Sequence, residues 1–411
     1  MGNFLDETFP LLIPNLHRLK TLMVGTDVPP DFLKHFFFHA PLLDKLWIQV
    51  DCPQAPILDN TLFGGDLSSL WSLDLGGVVT QLPWRNMENL KTFILTSPPP
   101  GQDITQLLDF LESAPLLDMV SLTDSIPTSS SAPPNRLVHL PHLTTLLISA
   151  DRPHPTLLNH LCIPAGATLG QRFTFSDGRS PLLFNLPESF ANLRNLAHIT
   201  AINLHFDSPD KPMRLRGPSG ELRIFPDYEG PDSNAMDSQI LRSISPQILS
   251  TTQRLVLSEY TYVNLTEAEK CPVFQTLSRT NELRTLVLIK CTNLSFILAL
   301  DPEENPSNLV FCPKLEEVTL YIRPQDMFHS SHLIRMAKNR ASRGAGLLSL
   351  TIVGLGELVP GKEVFDLRKY VKRVECRIED EPPMWDDCSG CEDEDEDEDG
   401  DEDGDGGDDD D

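Results

Sequence analysis

The sequence has no basic surplus. Its 411 residues carry 33 Lys and Arg against 60 Asp and Glu, a formal net charge of −27. Binding to nucleic acid or to an acidic membrane surface requires stripes of Lys and Arg, so neither is expected. There is no run of about 18 apolar residues, and hence no expected transmembrane helix. The opening residues, MGNFLDETFPLL, have neither a basic segment nor a continuous apolar one, so no secretory signal is expected. Gly2 is followed by Asp6 where a myristoylation signal has Ser or Thr. Without a secretory context, the 8 cysteines read as reduced thiols rather than a disulfide framework. The expected compartment is therefore the cytosol or nucleus.

Catalytic signatures are missing too. No GxSxG element occurs, and no GxGxxG follows a strand-like run. Gly356-Glu357-Leu358-Val359-Pro360-Gly361-Lys362-Glu363 has the outline of a phosphate-binding loop. However, Glu363 replaces the metal-binding hydroxyl, and Pro360 removes a backbone N–H that the phosphate cradle needs. Cys388-Ser389-Gly390-Cys391 lacks the second ligand pair of a structural zinc site. His139-x-x-His142 and His329-x-x-His332 lack the glutamate context of a metallopeptidase helix. No catalytic residue, metal ligand or cofactor is therefore expected.

What is present is charge segregation and a repeat. Residues 379–411 hold 21 acidic residues and no Lys or Arg, leaving −6 on the rest. A segment of Asp, Glu and Gly has nothing to bury, so 379–411 is expected to be a disordered acidic tail behind a folded unit, 1–378. The tail reads as a solubilising appendage, or as a counter-charge for basic proteins such as histones or for the body's own Lys and Arg.

Along the body Leu-x-x-Leu-x-Leu recurs with apolar substitutions. The middle apolar residues of the clear N-terminal copies are Leu22, Leu46, Leu73, Phe93, Val120 and Leu146, at steps of 24, 27, 20, 27 and 26. The later copies centre on Leu255, Leu286, Val318 and Leu350, at steps of 31, 32 and 32. Weaker copies are read at Phe173/Phe175, Leu196/Ile199 and Leu222/Ile224. Only the copy from Leu283 to Cys291 carries the Asn-or-Cys position of the standard leucine-rich repeat.

Between copies, apolar residues fall at helical spacing. Asp103 caps 104–111 with Pro115 beyond it, Asp31 caps 32–38 with Pro41 beyond it, Thr266 caps 267–279, and the longest helix covers 329–343. The expected fold is an α/β leucine-rich-repeat solenoid, a horseshoe with parallel strands on the concave face and helices outside. Irregular insertions are expected near 124–135 and 207–236, where Ser, Pro and Gly concentrate.

In such a horseshoe the residue between the last two leucines faces the concave side. That set is Met23, Trp47, Asp74, Ile94, Ser121, Leu147, Thr200, Val256, Val287, Thr319 and Thr351. Trp47, Asp74, Ile94, Ser121, Leu147, Val256, Val287 and Thr319 are the expected partner-binding residues. Trp47, Ile94 and Leu147 are large apolar groups at positions open to water, the signature of a protein-binding groove. Lys20, Lys45, Lys91, Arg254 and Arg284 stand nearby.

Several stretches resemble the repeat region of F-box/leucine-rich-repeat proteins of mushroom-forming fungi. They are the segments 107–117 and 157–167, Arg335-Met336-Ala337-Lys338-Asn339-Arg340, Leu350-Thr351-Ile352-Val353, Leu367-Arg368-Lys369-Tyr370-Val371, Val374-Glu375-Cys376-Arg377 and Trp385-Asp386-Asp387. The resemblance covers roughly residues 10–390. It implies a non-enzymatic substrate receptor of an SCF ubiquitin ligase, with a protein substrate on the repeats and the SCF adaptor as a further partner. Residues 1–15 are too few for the F-box itself, so the expectation is the receptor half without the adaptor-docking module. The acidic tail also resembles, in composition, those of acidic leucine-rich nuclear phosphoproteins and Ran GTPase-activating proteins.

Overall fold

The clear leucine copies fold as strands, and most are reached through the same turn. Leu43 N–H donates to the Ala40 carbonyl, Leu70 to Leu67, Leu90 to Met87, Leu117 to Ala114, Leu143 to Leu140, Leu283 to Thr280 and Leu315 to Cys312, all at 3.0–3.3 Å. One carbonyl then accepts two amides from the next copy. Lys20 O takes Asp44 and Lys45, Asp44 O takes Trp71 and Ser72, and Lys91 O takes Asp118 and Met119. Arg284 O likewise takes Glu316 and Glu317. The leucines that anchor these turns are buried, as at Leu43, Leu70, Leu90 and Leu117.

This arrangement comes from a computed structural model, which describes residues 13–25, 36–50, 57–58, 62–80, 87–96, 103–124, 132–150, 155–175, 186, 191–196, 198–205, 213–217, 220–228, 241, 244–258, 272–291, 293–304, 308–323, 330–355, 365–380 and 382. Its strands are β1 (Thr21–Val24), β2 (Lys45–Gln49), β3 (Ile57–Leu58), β4 (Ser72–Gly76), β5 (Val79–Thr80), β6 (Thr92–Thr96), β7 (Met119–Thr123), β8 (Val138–His139), β9 (Thr145–Ala150) and β10 (Leu161–Cys162). They continue as β11 (Thr168–Phe175), β12 (Ala201–His205), β13 (Met213–Arg216), β14 (Glu221–Tyr228), β15 (Arg254–Ser258), β16 (Thr285–Ile289), β17 (Glu317–Ile322), β18 (Ser349–Leu355) and β19 (Arg373–Glu379). The helices are α1 (Ile104–Ser113), α2 (Pro155–Asn159), α3 (Pro246–Thr251), α4 (Pro272–Arg279), α5 (Asn293–Leu300) and α6 (Ser330–Ser342).

The protein is α/β. Fifteen strands form one open sheet in the order β1-β2-β4-β6-β7-β9-β11-β14-β13-β12-β15-β16-β17-β18-β19. Neighbours pair in parallel except at β13, which is antiparallel to both β12 and β14. Two short parallel pairs, β3·β5 and β8·β10, lie outside it.

The strand leucines point to one face. There Leu46, Leu73, Phe93, Val120, Leu146, Leu255, Leu286, Val318 and Leu350 join the helices in a single core. Asp103 caps α1 as its sequence predicts, accepting from Thr105 N–H at 2.9 Å. Phe110 of α1 packs on Phe93 with ring centroids 4.4 Å apart. The helix expected over 329–343 is α6, Ser330–Ser342. The helix expected after Thr266 is described from Pro272; its cap and most of the helix capped by Asp31 lie outside the described residues.

The segment near 207–236, expected as an irregular insertion, holds β13, antiparallel to both its neighbours, and β14, at the weak copy Leu222/Ile224. Pro226 is tolerated in β14 because β13 begins only at Met213, opposite Ile224, so its missing N–H removes no ladder bond. The weak copy at Phe173/Phe175 is out of step: Leu169 and Gln171 take those positions, paired with Leu146 and Ile148. At Leu196/Ile199 the strand residues are Ile202 and Leu204, paired with Leu255 and Leu257, because Leu196 belongs to the preceding turn. The sheet also runs to Glu379, one residue into the segment expected as tail. The rest of that segment, apart from Asp380 and Pro382, lies outside the described residues, as do 356–363, Cys388 and Cys391, 125–131 and His329. Among the described residues no helix is long and apolar enough to cross a membrane.

Candidate functional site

With the leucines turned to the core, the alternate residues form the opposite face of the sheet. Their cross-strand register is unbroken. Met23, Trp47, Asp74, Ile94, Ser121, Leu147 and Gly170 stand opposite one another from β1 to β11. The row continues through Arg223, Arg214 and Asn203 into Val256, Val287, Thr319, Thr351 and Glu375. The eight expected partner-binding residues therefore share one lateral row. Thr200 does not join it; Asn203 holds that place.

The row has three tracts. In the first, Trp47, Asp74, Ile94, Ser121 and Leu147 are half-buried, and Met23 at the edge is 68% exposed. The indole of Trp47 donates to the Asp74 carboxylate. Burial nonetheless raises that carboxyl above its ordinary range, the indole only partly offsetting it. Leu147 leans over Gly170, where a Cβ would come within 2.4 Å of Leu147 Cδ2. Glycine there leaves room for the leucine side chain.

The second tract is cationic. Arg216 lies directly opposite Glu221, and Arg223 follows on the same strand. Both bind that carboxylate, Arg216 Nε at 3.1 Å and Arg223 Nε at 2.9 Å. Arg214 stands opposite Arg223, and Arg254 lies two strands beyond Arg216, across Ala201. Sequence reasoning missed Arg214, Arg216 and Arg223 because Pro and Gly crowd the segment. The signal was the alternation in Met-Arg-Leu-Arg and Glu-Leu-Arg-Ile, whose Leu215 and Leu222 are fully buried. Of the five basic residues expected nearby, Lys45 and Arg254 begin strands on this face. Lys20, Lys91 and Arg284 sit one residue earlier than the strands that follow them, with their carbonyls bonded into the turns. Lys45 Nζ lies 4.8 Å above the Trp71 ring.

The third tract differs from expectation. Val256 and Val287 are not open to solvent: they are 0% and 4% exposed, within a second apolar cluster with Ile289, Tyr321, Val353 and Leu355. Over it sits a cavity of about 230 Å³ lined by Arg254, Thr285, Val287, Glu317, Thr319, Tyr321, Thr351, Glu375 and Arg377. Burial and then Glu379 push the Tyr321 phenol above its ordinary range, against an opposing hydrogen bond from Arg377. The cavity is thus mostly polar, with Val287 and the Tyr321 ring among three threonines and charges of both signs.

Among the described residues no nucleophile–base pair is assembled there. Cys312, the most perturbed thiol, is fully buried, pushed up to about 11 by burial, and 3.2 Å from the Thr280 hydroxyl. Cys291, at the repeat's Asn-or-Cys position, is buried with its Sγ 3.2 Å from the Leu257 carbonyl. His139 and His142 are exposed. Among the described residues no three His, Cys, Asp or Glu gather as metal ligands. A scan against protein-family models and a search of the curated proteins both find no match for this chain.

Proposed function

We propose that the chain is a leucine-rich-repeat solenoid, with the described row on its concave face, acting as a non-enzymatic protein-binding module. It resembles the substrate-recognition part of an SCF F-box protein of the cytosol or nucleus. The observation that carries this reading is the unbroken row from Met23 to Glu375. Its half-buried apolar groups sit beside a cluster of arginines, and aromatic and arginine side chains anchor protein interfaces more than other types do. The fitting partner offers an apolar segment next to an acidic one. Arg214, Arg216 and Arg223 meet the acids, and Trp47, Ile94 and Leu147 take the apolar groups.

The runner-up reading is a binder of basic proteins working through the 21 acidic residues of 379–411. Capture from lysate with the full chain, with residues 1–380, and with full chains carrying Ile94→Glu or Arg223→Glu separates the two. A substrate retained by 1–380 but lost with either face variant supports the receptor reading; ligase adaptor retained alongside it would mean that coupling survives without the F-box expected to be missing. Histones captured by the full chain alone, indifferent to the face variants, would replace it with the tail reading.

A further inference from the structure

The sheet ends at β19, and among the described residues no strand pairs with its outer side. A seven-residue free edge is a template for another strand. Its charges are not those of a simple guard. Arg373, Glu375, Arg377 and Glu379 alternate in sign along one face. Along the strand Arg373 pairs with Glu375 at 3.5 Å and Arg377 with Glu379 at 2.9 Å, while Arg373 Nε also donates to Ser349 Oγ at 3.2 Å and Arg377 to the Tyr321 phenol. On the other face stand Val374, Cys376 and Ile378, the last 46% exposed.

The backbone sets which residues can accept a partner. Arg373 N–H donates to the Leu348 carbonyl at 3.0 Å, so the alternate residues from Arg373 to Glu379 turn their amides to β18. The amides of Val374, Cys376 and Ile378 turn outward. We propose that this edge pairs with the same edge of a second copy, antiparallel, about a two-fold axis at Cys376.

That register satisfies every position at once. Arg373 faces Glu379 of the second copy and Glu375 faces its Arg377. Val374 faces Ile378, and Cys376 faces Cys376. The facing residues with outward amides each exchange two N–H···O bonds. The neighbouring registers fail: centring on Glu375 or Arg377 puts each of those residues opposite its own copy, and a parallel pairing stacks like charges throughout. A one-residue slip sets charged residues against apolar ones. The two acidic tails leave the interface far apart. Glu379 and its equivalent are separated by six strand residues, about 20 Å at roughly 3.4 Å each, beyond the screening length of about 8 Å at physiological salt.

The full chain is tested by sedimentation between about 1 and 100 μM, a range suited to pairing through one strand. Wild type is expected to shift from monomer to dimer across the range. The pair Arg373→Glu with Arg377→Glu makes the edge all-acidic, and the pair Glu375→Lys with Glu379→Lys makes it all-basic. Each variant alone is expected to stay monomeric, and an equimolar mixture to form a heterodimer. A wild type monomeric throughout, variants that still self-associate, or a mixture that stays monomeric would each overturn the proposal. The axis is checked in a chain carrying Cys388→Ser and Cys391→Ser. Facing Cα atoms in a hydrogen-bonded pair lie about 5.5 Å apart, within disulfide reach. Copper-phenanthroline is therefore expected to oxidise the two thiols to a disulfide-linked dimer that Cys376→Ser abolishes. A dimer that forms equally without Cys376 would refute this register.

Discussion

The two halves of the sheet solve one problem differently. From β1 to β11 the repeat steps run 20–27 residues, and the strands alternate buried and half-buried, as in the Trp47 and Ile94 strands. From β15 to β18 the steps are 31 and 32 residues, and the strands are buried on both faces through most of their length. The longer steps make room for the successive helices α4, α5 and α6 over the leucines. They also bring buried polar ties: Asp301, fully buried, accepts from Arg335 Nε and Asn339 Nδ2, both at 2.9 Å. The shorter units leave their second face half open. On the proposed reading the half-open first half is the recognition surface and the second half its doubly packed support, with the arginine strands β13 and β14 at the junction.

The largest expected effect lies in the rigid half. Arg340 is 0% exposed and holds the Phe311 and Cys312 carbonyls at 2.8 and 2.9 Å. Arg340→Ala opens a cavity and orphans both acceptors, with an expected loss of about 3–5 kcal/mol in a denaturant titration. Arg340→Met, which refills the volume, is expected to lose clearly less. Equal losses would mean that the carbonyl bonds, not the packing, dominate.

Next comes one register position read in both halves. Val287→Ser buries a hydroxyl in the second cluster and is expected to cost about 2 kcal/mol. Ile94→Ser, at the half-buried position, is expected to cost under about 1 kcal/mol while weakening partner capture. If the two costs match, the contrast between the halves is wrong.

A smaller effect is expected at Arg136, in the N-terminal half. It bridges Asp109 at 2.6 Å and Glu112 at 2.8 Å from a partly exposed site. Screening by solvent limits the expected loss on Arg136→Ala to about 1 kcal/mol in the same titration.

The smallest concerns Asp74. Burial raises its folded-state carboxyl above the unfolded value, so its ionisation works against folding. The stability linked to its protonated form is full below the unfolded value of 3.8 and is lost as pH rises through the folded one. Asp74→Asn is therefore expected to raise the Tm slightly at neutral pH, with the gain vanishing as pH falls through the carboxylate range. A gain that grows on acidification would reverse the assignment.

Much of this was legible in the residues. Period-2 leucines located the clear strands, and reading the residue between the leucines placed Trp47, Asp74, Ile94, Ser121 and Leu147 in one row, with Val256, Val287 and Thr319 in the same row beyond them. Burial of Val256 and Val287 was not legible, because it depends on what comes to lie across the face rather than on local pattern. Arg214 and Arg223 were hidden by the prolines and glycines around two short alternating runs. Their place between β11 and β12 is a matter of topology: β12 precedes β13 in the chain yet lies beyond it in the sheet. No local period encodes that order.

One face of the sheet runs unbroken across this junction, from Gly170 through Arg223, Arg214 and Asn203 to Val256. Amide hydrogen exchange of β13 and β14 tests it most directly. The account predicts that Leu215, Leu222 and Ile224 exchange no faster than the amides of β11 and β15. Exchange at the rate of an unstructured loop would split the row into two separate patches and contradict it.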